Sequence, residues 1–172
     1  ALDPLKSPGI IVFSDGNIQF KVSSPKYIRL FNTRGNQPSV KFRYIQVRCD
    51  KELNETIRQM YPEFVETFDS YETILEQITK TIHTAYMNRF IHREYVSLPP
   101  AEYQVIKAAH SWFCEDRDNR RVTKQVINGV LNIQNPSSLN QMIKRVLYPK
   151  QVNEHTRVNT ETSVNEENTD NT

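Results

Sequence analysis

Amide and cationic side chains share one face of the last helical pattern in the sequence. Over residues 137–148 the apolar residues recur at helical spacing, which leaves the polar residues on the opposite face. Amide side chains can hydrogen-bond to base edges, and Lys and Arg can pair with phosphates or guanine. The chemistry available to this face is therefore recognition of nucleic acid. The residues concerned are Asn140, Gln141, Lys144 and Arg145.

The sequence contains no motif for catalysis, metal binding or nucleotide binding. Its four histidines lack metal-ligand spacing, its two cysteines lie in separate predicted elements, and its four glycines form no phosphate-binding loop. Residues 115–118 place three acids around Arg117, which we interpret as a solvated turn rather than a metal site. We therefore expect no metal, no cofactor and no enzyme activity. Catalysis by residues that are distant in sequence remains the alternative.

The net charge of +2 conceals four blocks of alternating sign. Residues 1–50 contain eight Lys and Arg against three Asp and Glu, and residues 83–150 contain ten against five. Residues 51–82 contain three against seven, and residues 151–172 contain one against five. Two basic blocks of this kind favour an anionic partner.

The sequence lacks the features of a secreted or membrane-spanning protein. No apolar run reaches the roughly 18 residues that a transmembrane helix needs. Residues 1–9 lack the basic and apolar regions of a signal peptide. Cys49 and Cys114 are too few for a disulfide scaffold, which favours free thiols in a reducing compartment. We therefore expect an intracellular protein, in the nucleus or cytoplasm, that is not secreted and has no transmembrane segment.

The first half of the chain predicts an antiparallel sheet. After an N-terminal arm over residues 1–9, two apolar runs at 10–14 and 18–22 flank Asp15-Gly16, a strong hairpin signal. A two-residue loop would pair Phe13 with Ile18 and Ile11 with Phe20 on one buried face. Residues 26–32 and 39–48 are rich in β-branched and aromatic residues, which predicts a third and a fourth strand. The apolar phase of the fourth run changes around Tyr44, which we interpret as a bulge.

The second half predicts about five helices, so the fold class is α+β. The helices are expected over 51–61, 70–93, 101–114, 123–132 and 137–148, each from its apolar spacing and its caps. The polar residues 151–172 predict a disordered acidic tail. The predicted organisation is an arm over 1–9, a sheet with two helices over 10–98, a three-helix subdomain over 99–150 and the tail over 151–172.

Residues 123–147, TKQVINGVLNIQNPSSLNQMIKRVL, resemble a helix-turn-helix of the winged-helix or transcription-repressor kind. The first helix ends in an apolar pair, Ile133 would point back to the core from the turn, and the second helix opens with Ser137-Ser138. Asn132 stands at the position of the usual turn glycine, and no wing hairpin follows. The resemblance implies that the second helix enters the major groove. It further implies that Arg120, Arg121 and Lys124 reach the flanking phosphates.

A second basic surface is predicted on the sheet. Its cations interleave with Phe42 and Tyr44, a pattern that suits stacking of single-stranded bases, whereas packing of both rings in the core is the alternative. The cations of this secondary basic sheet patch are Arg29, Lys41, Arg43 and Arg48.

Two functions are consistent with these features. The first is a non-enzymatic protein that binds DNA or RNA through its basic helix-turn-helix-like subdomain. The alternative is a small basic structural or assembly protein, of a viral matrix or nucleocapsid-associated type. Such a protein acts by self-association and contacts with protein partners.

Overall fold

The computed structural model describes residues 8–14 and 18–149. This part contains a two-stranded antiparallel sheet followed by seven α-helices, so the α+β class is confirmed. The chain forms two compact units, of which the first ends at Ser70 and the second begins at Tyr71. The predicted tail over 151–172, most of the predicted arm and the Asp15-Gly16 turn lie outside the described residues.

The predicted hairpin is present, but in a different register. Strands β1 (Gly9–Phe13) and β2 (Gln19–Ser23) pair so that Phe13 faces Gln19 and Val12 faces Phe20. Ser14 N donates to Ile18 O at 3.0 Å, so three residues connect the strands instead of two. The predicted pairings of Phe13 with Ile18 and of Ile11 with Phe20 are therefore wrong, because the hairpin has a three-residue loop. The predicted burial of these four side chains is also wrong, since all of them are exposed.

The predicted third and fourth strands are wrong, because both segments are helices. Helix α1 spans Pro25–Arg34 and helix α2 spans Val40–Val47. Pro25 occupies the first turn of α1, where a missing N–H costs nothing, and the Ser39 hydroxyl accepts from Phe42 N at 3.2 Å to cap α2. The phase change around Tyr44 is helical periodicity, which buries Tyr44 and Val47 on one side.

The first unit is completed by a third helix and the start of a fourth. Helix α3 spans Lys51–Met60, as predicted to within one residue, and Asp50 caps it by accepting from Leu53 N at 3.0 Å. A short 3₁₀ helix over Pro62–Phe64 then leads directly into α4, Val65–Phe90. Helix α4 therefore begins five residues earlier than predicted, because it continues directly from the last residue of the 3₁₀ helix. Asp69 accepts a hydrogen bond from Arg58 at 2.8 Å.

The second unit contains the remaining helices, all close to their predicted bounds. Helix α5 spans Pro100–Cys114, α6 spans Lys124–Asn132 and α7 spans Pro136–Leu147. Helix α4 has an apolar stripe at helical spacing, and its members Ile74, Ile78, Ile82 and Ala85 are all buried. The core residues of α5, α6 and α7 are Val105, Ile106, Ala109, Ile127, Leu131, Leu139, Met142 and Ile143.

Candidate nucleic-acid interface

Helix α7 exposes a polar stripe opposite a buried aliphatic side, which opens to solvent only at Val146 and Leu147 near its C-terminal end. Pro136 lies in its first turn, and Asn135 accepts from Ser137 N at 2.8 Å, which sets where the helix begins. Met142 and Ile143 are fully buried on the inner side. A helix of this register turns Ser137, Gln141 and Lys144 to the exposed surface, while Asn140 is half-buried.

Arg145 is engaged by another helix of the same unit. Its Nε donates to Glu102 Oε1 at 3.1 Å and its Nη2 donates to Glu102 Oε2 at 2.5 Å. The two side chains are only 22% and 12% exposed, so the forked guanidinium pairs with a carboxylate largely shielded from water. This ion pair joins the C-terminal turn of α7 to the N-terminal turn of α5. It also neutralises one of the two cations that the sequence assigns to the outer face.

The turn between α6 and α7 differs from the predicted one. Ile133 is 81% exposed, so the expectation that it points into the core is wrong. The turn closes through backbone contacts instead, with Gln134 N donating to Leu131 O at 3.1 Å. Asn132 is the last residue of α6 and keeps a helical conformation. It does not adopt the left-handed conformation that such a turn would need; among the described non-glycine residues, Arg93 alone has a positive φ. This hydrogen bond closes the turn without a buried side chain at position 133.

The three predicted upstream cations lie in different settings. Arg120 donates to Trp112 O at 2.7 Å and to Glu115 Oε2 at 2.5 Å, and its guanidinium carbon lies 4.9 Å from the centre of the Trp112 ring. Arg121 is exposed in the segment before α6. Lys124 is exposed at the first position of α6, where a shallow pocket is lined by Thr79, Lys80 and Glu76.

Arg120 and Arg121 also belong to a cleft that sequence reasoning missed. This cleft, which we call the aromatic cleft, has a volume of about 460 Å³. It lies at the end of α4, beside α5 and the segment that follows α5. The residues that characterise it are Tyr86, Phe90, His110, Arg117, Arg120 and Arg121.

A hydrogen-bonded histidine lies in this cleft. His110 Nδ1 is 3.2 Å from the Tyr86 hydroxyl, and its Nε2 is 3.5 Å from Cys114 Sγ. Burial lowers the pKa of His110 below its ordinary value, and the charge of Arg117 lowers it further. Both effects favour the neutral form of the ring. The spacing of four residues between His110 and Cys114 on a predicted helix could have revealed this contact; the role of Arg117 could not be read from a polar turn.

The secondary basic sheet patch does not exist as a sheet surface. Its residues lie on α1, on α2 or just after α2, and Tyr44 is fully buried, in agreement with the core alternative for that ring. Arg29 pairs with Glu52 at 2.9 Å. Lys41 is exposed and lies over the Phe64 ring at 5.7 Å, whereas Arg48 donates to Cys49 Sγ at 3.4 Å.

Arg43 has a clear structural function in the first unit. Its Nε donates to Thr33 O at 2.7 Å and its Nη2 donates to Asn32 O at 3.0 Å. These carbonyls lie in the last turn of α1, where no helical partner remains, so a cation is favourable there. Gly35, at φ 57°, ends the helix in the left-handed region. Arg43 therefore stabilises the end of α1.

Comparison with known proteins identifies two viral relatives. The chain is 25% identical over 158 residues to the "Immediate-early protein ICP-46 homolog" of Invertebrate iridescent virus 6, covering 85% of this chain and 35% of the relative. It is 27% identical over 161 residues to the protein of the same name from Invertebrate iridescent virus 3, covering 90% and 35%. The chain thus spans about a third of the length of these curated relatives.

Other comparisons gave no match. No protein-family model matches the chain, and no solved structure matches it. Within residues 8–14 and 18–149, no helix is both long and apolar enough to cross a membrane.

Proposed function

We propose that this chain is a nucleic-acid-binding part of a larger viral protein, with α7 as the helix that contacts nucleic acid. The observation that carries the proposal is the exposed polar stripe of α7, Ser137, Gln141 and Lys144, opposite the buried side chains of Leu139, Met142 and Ile143. Similarity to two iridescent-virus proteins supports a viral origin. No enzymatic activity is part of the proposal.

Fewer residues of α7 are available to contact nucleic acid than the sequence predicts. Gln141 can pair with a base edge and Lys144 with a phosphate, since both are exposed on one side of α7. Arg145 is not among the proposed contacts with nucleic acid, because it forms an ion pair with Glu102. Arg120 is likewise held by Glu115 and Trp112 O. Its positive charge can contribute to the local field, but its guanidinium is not free to move toward a phosphate.

Lys144→Ala is expected to weaken binding of a short DNA or RNA duplex. Loss of one phosphate contact lowers the slope of log affinity against log salt by about 0.9. We expect a reduction of affinity of roughly threefold to tenfold at moderate salt. Fluorescence anisotropy titrations of a labelled duplex at several salt concentrations measure both quantities.

The matched control for this titration is Lys107→Ala. Lys107 is an exposed lysine on α5, so its removal changes the net charge equally without touching α7. We expect the control to keep the salt slope of the unmodified chain. Equal slopes for the Lys144→Ala variant and the unmodified chain would remove α7 from the interface.

A second candidate function, self-association, is favoured by the exposed apolar hairpin. Both of its faces carry large apolar side chains, and Phe13 is 66% exposed. Contiguous apolar surface of this kind is typical of protein interaction sites. The exposed residues are Ile10, Ile11, Val12, Phe13, Ile18, Phe20 and Val22.

Phe20→Ser is expected to reduce association of the chain with a second copy. Phe20 faces Val12 across the hairpin, so the change breaks the apolar surface of one face. Light scattering over a range of concentrations measures the mass, and we expect the unmodified chain to grow heavier with concentration and the variant to do so less. Tyr95→Ser, at a 92% exposed aromatic outside the hairpin, is the control. A constant monomer mass for the unmodified chain rules out this candidate.

A further inference from the structure

The aromatic cleft has an apolar wall made of stacked rings. Phe90 and His110 lie with their ring centres 3.8 Å apart and their planes 11° from parallel. Tyr86 lies 4.8 Å from Phe90, and its hydroxyl is 3.2 Å from His110 Nδ1. These contacts stack His110 on Phe90 and join it to Tyr86 by a hydrogen bond. Both Phe90 and His110 remain half-buried, so part of the stack is open to the cleft.

Arginines dominate the charge of the same cleft. Arg117, Arg120 and Arg121 line it, and Asp118 is the acidic residue among the lining side chains. Arg120 is fixed in place by Trp112 O and Glu115, whereas Arg117 and Arg121 are exposed. Arg117 lies close enough to Cys114 Sγ, at 3.6 Å, to keep its guanidinium at the wall. The cleft therefore combines an aromatic wall with a cationic rim.

Together, the two parts of the cleft select a class of ligand. A free phosphate would need the arginines but not the rings, and an apolar ligand would need the rings but not the arginines. A nucleotide uses both, because its base stacks on aromatic side chains while its phosphate pairs with guanidinium groups. The volume of about 460 Å³ lies within the roughly 300–1,000 Å³ of small-ligand pockets.

We infer that the aromatic cleft binds an unpaired nucleotide of single-stranded nucleic acid. The base lies against the exposed part of the Phe90 and His110 stack, and the phosphate lies between Arg117 and Arg121. A base in a duplex cannot enter, since it is already stacked and paired within the helix. This inference rests on the proposed nucleic-acid binding and adds a second mode to it, separate from the exposed stripe of α7.

Two variants of the full chain test the inference with labelled oligothymidylate as the probe. Arg121→Ala removes an exposed cation of the rim, and Phe90→Leu removes a ring while keeping apolar volume. Since stacking on one ring contributes about 1–3 kcal/mol per base, Phe90→Leu should weaken oligothymidylate binding roughly fivefold or more. Arg121→Ala should weaken it severalfold and lower the salt slope by about 0.7.

The controls separate this inference from the proposed function. Lys107→Ala controls for the loss of one positive charge, and a fully paired duplex titrated against the same variants controls for general binding. The inference holds if both cleft variants lose oligothymidylate affinity while the duplex affinity of the Phe90→Leu variant stays within about twofold of that of the unmodified chain. It is overturned, with the proposed function intact, if the chain binds duplex but both variants bind oligothymidylate unchanged. If the unmodified chain binds neither probe, both proposals are wrong.

Discussion

Glu102→Ala is expected to lower the free energy of unfolding of the second unit by about 3 kcal/mol, because it leaves Arg145 without its carboxylate. The pair is made through two hydrogen bonds, and both side chains are mostly shielded from solvent. A guanidinium that stays partly buried without a partner bears the full cost of lost hydration. The pair also connects α5 and α7, so the loss should loosen the docking of α7.

Urea unfolding monitored by tryptophan fluorescence measures this effect. The chain contains one tryptophan, Trp112, which lies on α5 in the second unit, so its emission reports on the unit that contains the pair. Lys107→Ala, also on α5, is the control and should change stability by less than about 0.5 kcal/mol. A double-mutant cycle with Arg145→Ala should give a coupling energy above roughly 1 kcal/mol. A Glu102→Ala variant as stable as the unmodified chain would show that the pair does not stabilise the unit.

The same variants distinguish a structural arginine from a binding lysine. Arg145→Ala should reduce stability, whereas Lys144→Ala should reduce the salt dependence of duplex binding and leave stability nearly unchanged. The two cations are neighbours in sequence, and only the contact with Glu102 separates their expected roles.

Phe68→Ala is expected to destabilise the first unit by about 4 kcal/mol, within the range for loss of a large buried ring. Phe68 is fully buried and stacks on Tyr44, with ring centres 4.1 Å apart and planes 7° from parallel. The Arg58 guanidinium lies 5.9 Å from the Phe68 ring and donates to the Tyr44 hydroxyl at 3.0 Å. Truncation would therefore leave a cavity and remove the support for this cluster.

Hydrogen exchange of the backbone amides of α2 and α3 measures the loss in the first unit, since these helices contain Tyr44 and Arg58. Their slowest amides should exchange about a thousandfold faster in the variant, as a loss of about 4 kcal/mol implies. Phe31→Ala is the matched control, because Phe31 is an exposed ring in the same unit. Protection that is equally reduced in both variants would contradict a specific role for Phe68.

The helices after residue 51 could be predicted because local signals agree with one another there. The Thr123 hydroxyl accepts from Val126 N and the Asn135 side chain accepts from Ser137 N, so residues of types that favour helix N-termini do cap α6 and α7. Each cap is followed by apolar residues at helical spacing, and most of them are buried in the structure. Where the cap, the stripe and the breaker residues agree, a helix and its inner face can be assigned from sequence alone.

Residues 25–47 could not be assigned because their local signals conflict. β-branched and aromatic residues favour strands, while Pro25 and Ser39 are equally suited to begin helices. The conflict is resolved by contacts distant in sequence, such as Arg43 with the last carbonyls of α1 and Tyr44 with Phe68. Strand propensity is a weak preference that packing overrides.

The candidate site was only partly predictable for a related reason. The exposed stripe of α7 follows from helical periodicity, but the partner of Arg145 lies 43 residues away on another helix. A carboxylate such as Glu102 carries no mark in the sequence that assigns it to one particular arginine. The aromatic cleft likewise combines the end of α4 with the segment after α5, and no single stretch of the sequence contains it.

Because Glu102 neutralises Arg145, the ion pair also limits the number of positive charges that α7 can offer to a polyanion. If α7 contacts nucleic acid as we propose, Lys144 is the exposed cation of the stripe and supplies a single charge, so one copy should have only weak, salt-sensitive affinity. Tight binding would then require avidity, in which a second tethered module or a second copy holds the first contact at high effective concentration. In this proposal the ion pair docks α7 firmly on the second unit but removes one cation from contact with phosphate. The fraction of nucleic acid bound would then depend on how many modules or copies act together.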